Sequence, residues 1–277
     1  MPPRPPLTHF LCLPLVTASS RSLLQTSLET FSAEAVSPTE ALTVRIPEKA
    51  IRPLGTLHLT IGVMTLQTQD RIDACLNFLR GLDVHDLLRR AEEASPVAFE
   101  SSSRGPIKAI DEPSIGTPNS EKVPNVPGES SGRSSPPSPL IISLSGLHSM
   151  HSPTSTSILY ALPVDPTCRL LNFCQSLRQL FTGAAFILPE NRPLRLHATI
   201  VNTIYAREKS ARASGGGHGR SGRGKSGFNA TGWIERYEGF EWAAGLRIEK
   251  VAICEMGAKQ VEGDGVQYLE VGSVALP

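Results

Sequence analysis

"RPLGTLHLTIGVMT" (residues 52–65) and "RPLRLHATIVNTIY" (residues 192–205) are two versions of one phrase. Each has Arg-Pro-Leu, a short spacer, then Leu-His-x-Thr-Ile leading into more apolar residues. In a strand, alternate side chains point to opposite faces. His58 and Thr60 therefore share one face, while Leu57, Leu59 and Ile61 share the other. In the second copy His197 and Thr199 lie together, opposite Leu196, Ala198 and Ile200. The apolar sets are core faces, so the polar sets face solvent or a cleft. One strand histidine alone is ordinarily a half-buried structural residue. The same pattern written twice in matching context points to two lobes related by a pseudo-twofold axis, their polar faces meeting in a pocket of two imidazoles and two hydroxyls.

Such a pocket suits phosphodiester cleavage. One group must take a proton from the attacking oxygen and another must give one to the leaving oxygen. Histidine can do either near neutral pH. Threonine hydroxyls beside them can donate hydrogen bonds to non-bridging phosphate oxygens as charge develops. His-x-Thr is not a metal-ligand pair, and no carboxylates stand nearby at ligand spacing, so neither a metal nor another cofactor is expected. Sequence does not assign which histidine is the acid and which the base.

The rest of the chain supports an α+β fold. Its 277 residues can bury a sizeable core, and a net charge of +1 gives no global pull toward nucleic acid or membrane. No apolar run approaches the ~18–20 residues that span a bilayer. The five cysteines (Cys12, Cys75, Cys168, Cys174, Cys254) form no Cys-x-x-Cys pair and read as reduced thiols. The first 28 residues hold arginines but no acid, as a mitochondrial presequence would. However, "THFLCLPL" alternates like a half-buried strand, and "SSRSLLQTSLETFSAEAV" follows with helical spacing behind a Ser cap. A strand feeding a helix is expected there, with the protein cytoplasmic or nuclear. Thr68 should cap a helix through residue 93, and Pro166 should sit in the first turn of "PTCRLLNFCQSLRQLFTGA". Residues 96–138, rich in Ser, Pro and Gly and without an aromatic from Ser101 onward, read as a disordered insertion, and 210–226 as a flexible Gly/Arg-rich loop. A short helix and two closing strands are expected at the C-terminal end. The order becomes β-α-β-α, a break, then β-β-α-β-α-β-β.

"LHLTIGV" and "LHATIVN" resemble the paired motifs of the two-histidine (2H) phosphoesterase superfamily. The branch most similar holds the central domain of the A-kinase anchoring protein gamma/delta isoforms and the phosphoesterase-like domain of the activating signal cointegrator 1 complex subunit. "THFLCLPL", "SGLHSMHSPTSTSILYA" and "GFEWA…LRIEKVAICEM" resemble that branch's first strand, middle hairpin and C-terminal strands. The resemblance covers residues 8–276 apart from the insertion and the loop. It implies two pseudo-symmetric lobes with mainly antiparallel sheets around a central cleft (the LigT-like fold). It also implies metal-independent cleavage of 2′,3′-cyclic or 2′,5′-linked ribonucleotide phosphates, with His58 and His197 catalytic and Thr60 and Thr199 binding phosphate. The chain shows no GxxG-bearing KH module and nothing beyond Pro277 to provide a kinase-anchoring helix, so neither partner role is expected. RNA or an oligonucleotide is the expected partner of a monomer, alongside possible partners in a protein complex. The rival class is a non-catalytic nucleotide or RNA-end binding module, or a scaffold in a transcription or RNA-processing complex.

Further candidates are weaker. Phe10 and Tyr205 lie near the motif strands and could stack on a base. Arg207 opens a basic stretch (Lys209, Arg212, Arg220, Arg223, Lys225) that could steer an RNA end by phosphate attraction. His148 and His151 read as parts of a hairpin turn rather than a ligand pair. "GGGHGRSGRGKSG" lacks the strand and helix that flank a phosphate-binding loop.

Overall fold

The computed structural model describes residues 5–37, 44–94, 137–206 and 227–277. The regions read as an insertion (96–138, apart from residues 137 and 138) and as a flexible loop (210–226) lie outside the described residues, as does Arg207.

The chain runs β1 (His9–Pro14), α1 (Arg21–Val36), β2 (His58–Met64), α2 (Gln69–Arg80), α3 (Val84–Glu93), β3 (Ile141–Ser149), β4 (Ile158–Val164), α4 (Arg169–Gly183), β5 (Ala198–Asn202), α5 (Thr231–Arg236), β6 (Glu241–Arg247), β7 (Lys250–Glu255), β8 (Lys259–Val261), β9 (Gly265–Gln267) and β10 (Glu270–Ala275). Two four-stranded antiparallel sheets carry the fold, in the orders β10-β7-β1-β2 and β5-β4-β3-β6. Each motif strand is therefore the edge strand of its own sheet. The two edges meet: Ile51, just before β2, bridges to Val201, and the Arg52 N–H donates to the Ile200 carbonyl at 2.8 Å.

The lobes are not consecutive halves of the chain. The first sheet takes β1 and β2 from the N-terminal part and β7 and β10 from the end. Helix α1 leaves β1 and packs on β6 of the other sheet, while α4 packs on β2. Phe31 of α1, fully buried, meets the rings of Trp233, Tyr237 and Trp242 at 5.2–5.6 Å. Glu34 accepts from the Tyr237 hydroxyl at 2.7 Å, which ties the same helix to the second lobe.

Several expectations are corrected. β1 is not half-buried: residues 9–13 are all buried, because β1 lies between β2 and β7 with apolar packing on both faces. Ser20 precedes α1 but its side chain does not cap it; its hydroxyl donates to the Leu15 carbonyl at 2.7 Å and stitches strand to helix. Thr68 does cap α2, accepting from the Arg71 N–H. The single helix expected from Thr68 to residue 93 is two, because α2 stops at Gly81 and Asp83 starts a new cap on the Asp86 N–H at 2.9 Å. Pro166 precedes α4, which begins only after the left-handed Cys168; the Asp165 carboxylate accepts from the Leu170 and Thr167 N–H groups there. Five strands, not two, close the chain, and they are shared between the sheets and a small β8–β9 hairpin.

All five cysteines are free thiols, with Cys12 and Cys254 only 3.8 Å apart, Sγ to Sγ. Among the described residues no helix is long and apolar enough to cross a membrane.

Candidate functional site

The i, i+2 alternation is visible in both motifs. Leu57, Leu59 and Ile61 are buried while His58 and Thr60 are half-buried. In the second copy Leu196, Ala198 and Ile200 are buried and His197 and Thr199 half-buried. His197 itself precedes the first paired residue of β5.

The two imidazoles are fixed the same way. His58 Nδ1 lies 2.8 Å from the Thr56 carbonyl, and His197 Nδ1 lies 2.8 Å from the Arg195 carbonyl. A carbonyl can only accept, so each Nδ1 carries the hydrogen. Nε2 is left as the nitrogen that takes up or releases a proton. Each ring is thus oriented by the backbone two residues before it, a consequence of the repeated sequence.

Around His58 the wall is aromatic. Its ring packs on Phe10 at 4.8 Å and against the edge of Tyr268 at 5.1 Å. Phe10, Cys12, Ala252 and Cys254 form a second small apolar cluster on the cleft side of the first sheet. A cavity of about 220 Å³ opens there, lined among others by Phe10, Cys12, His58, Lys250, Cys254 and Tyr268. Thr60 Oγ1 donates to His58 Nε2 at 3.0 Å, so it must turn to reach a phosphate oxygen.

On the other wall, Thr199 pairs with Tyr160 and Tyr160 with His148 across β5, β4 and β3. Tyr160, largely buried, meets the His197 ring edge-on at 5.2 Å. His148 is therefore a strand residue beside the His197 wall and not part of the turn; His151 is in the turn and exposed. Sequence reading missed Tyr160 and Tyr268. Neither sits in a motif, and only strand register and the β9–β10 connection bring them to the histidines.

Of the suggested contacts, Phe10 is 2% exposed and backs the His58 ring, leaving little of its face to a ligand. Tyr205 is exposed and lies under the Arg52 guanidinium, 3.8 Å from carbon to ring centroid.

Burial pushes the His58 pKa down from 6.5 to about 4, and the charges of His197 and Arg52 add to the depression. The folded chain takes up this proton only near pH 4, the unfolded chain near 6.5. Between those values the unfolded form binds more protons, so this contribution to stability is intact above about pH 6.5 and is lost as pH falls toward 4. The expected slope is at most about 1.4 kcal/mol per pH unit. In proton NMR, His58 should titrate near 4, and His197→Ala should move it upward. Titration near 6.5 would show that the ring is better solvated than its packing indicates.

Among the described residues no group of three or more His, Cys, Asp or Glu side chains is placed to hold a metal ion.

The family described as the AKAP7 2′5′ RNA ligase-like domain matches residues 7–276, and the chain belongs to it. An uncharacterised protein of Schizosaccharomyces pombe is 31% identical over 125 residues, 45% of this chain and 52% of that protein. The chain thus spans about half the length of the curated relative it matches. Solved structures that resemble it include a phosphoesterase (13% identical, TM-score 0.46) and Escherichia coli LigT complexed with 3′-AMP (13%, 0.45), each matched over 98% of both chains.

Proposed function

We propose that the protein is a metal-independent phosphodiesterase of the 2H type, acting on 2′,3′-cyclic or 2′,5′-linked ribonucleotide phosphates. The observation that carries this reading is the matched pair of imidazoles, each with Nδ1–H held by a carbonyl and Nε2 left to exchange a proton. A pure binding site has no need of two such groups. Family membership supports the class of chemistry, and the ribonucleotide substrate is what the resemblance to the 2H phosphoesterases implies.

The depressed pKa of His58 gives it the base's role, since it is unprotonated at neutral pH. His58 Nε2 takes the proton from water or a ribose hydroxyl, and His197 gives one to the leaving oxygen. Thr60 and Thr199 donate to the phosphate oxygens. The purified protein, with EDTA present, should cleave at least one member of a panel of 2′,3′-cyclic nucleotides and 2′,5′-linked oligoadenylates. Nucleotide bound without cleavage of any of them would leave a binding module.

A further inference from the structure

Arg52 opens the first motif and is 7% exposed, yet no carboxylate among the described residues pairs with it. Its Nη2 is one of only two buried side-chain polar atoms among the described residues without a hydrogen-bond partner. The guanidinium lies over the Tyr205 ring at 3.8 Å, and its charge acts on the neighbouring Tyr268 hydroxyl. Tyr268 packs against His58 and lines the cavity. The seam between the two motif edges fixes the Arg52 backbone, through its N–H on Ile200.

A buried guanidinium with no counter-charge is costly, and one aromatic face does not replace its lost hydration. A planar fork with an unpaired N–H suits the oxygens of a phosphoryl group. We infer that Arg52 is an anion-binding residue of the cleft, taking a phosphoryl oxygen of a bound nucleotide while the Tyr205 ring holds the fork in place. This rests on the phosphodiesterase reading of the same site and adds to it a cation that His-x-Thr lacks. Sequence reading passed over Arg52 because Arg-Pro-Leu occurs in both copies, while only in the first does the fold bury the arginine; Arg192 is exposed.

The test compares wild type, Arg52→Met and Arg52→Lys for binding of 3′-AMP, inorganic phosphate and adenosine by calorimetry, with thermal unfolding of each. Arg52→Met should weaken 3′-AMP and phosphate at least tenfold and leave adenosine unchanged. Its melting temperature should hold or rise, because an unpaired buried charge is gone. Arg52→Lys, charged but without the fork, should fall between. A merely structural arginine would show the reverse, a lower melting temperature with 3′-AMP and adenosine affected alike, and that result overturns the inference. If wild type cleaves the substrate panel and Arg52→Met does so with unchanged KM, the inference fails and the phosphodiesterase reading stands. If Arg52→Met loses phosphate binding but no substrate is cleaved by wild type, the anion site stands and the catalytic reading fails. Wild type that binds neither 3′-AMP nor phosphate overturns both.

Discussion

His58→Ala and His197→Ala should each lower kcat by about 10²–10⁴-fold, the usual contribution of one acid or base group. Affinity for 3′-AMP should change less than about tenfold, because a neutral imidazole offers one hydrogen bond worth ~0.5–1.5 kcal/mol. The double variant should cost less than the product of the two, since the residues act on one proton-transfer sequence. The acid limb of kcat/KM should lie near pH 4, where His58 gains its proton, and chelator should leave the rate unchanged. Single variants that cleave at the parent rate would remove the histidines from the mechanism. A rate abolished by EDTA would replace it with metal chemistry.

Phe31→Ala should destabilise the protein by about 3–5 kcal/mol, the range for emptying a fully buried aromatic site. The melting temperature should drop by roughly 10 °C. Phe31 is the knot of the interlock: its helix follows a strand of the first sheet, yet its ring packs among Trp233, Tyr237 and Trp242 of the second lobe. Both sheets should therefore be lost in one transition, measured by circular dichroism and tryptophan fluorescence together. Two separate transitions would mean that the lobes hold themselves up independently.

Much of the site was legible because strand alternation is a local rule. His58 and Thr60, and His197 with Thr199, could be assigned to one face each from spacing alone, and the repetition removed the ordinary structural reading. Helix stops were less legible. The break at Gly81 and Asp83 depends on a cap that competes with continued helical spacing, and the left-handed Cys168 moved the start of α4 past Pro166.

The sequence by itself determined the α+β class, the two motif strands and the four polar side chains they present, all properties of residues within a few positions of one another. The tertiary structure alone decided which strands share a sheet and what surrounds the histidines. β7 and β10 join β1 across most of the chain, and that pairing brings Tyr268 onto His58 and Cys254 beside Cys12. It also decided that the arginine of one Arg-Pro-Leu is buried and that of the other exposed. Burial and long-range pairing depend on which surfaces meet, and no local pattern records that.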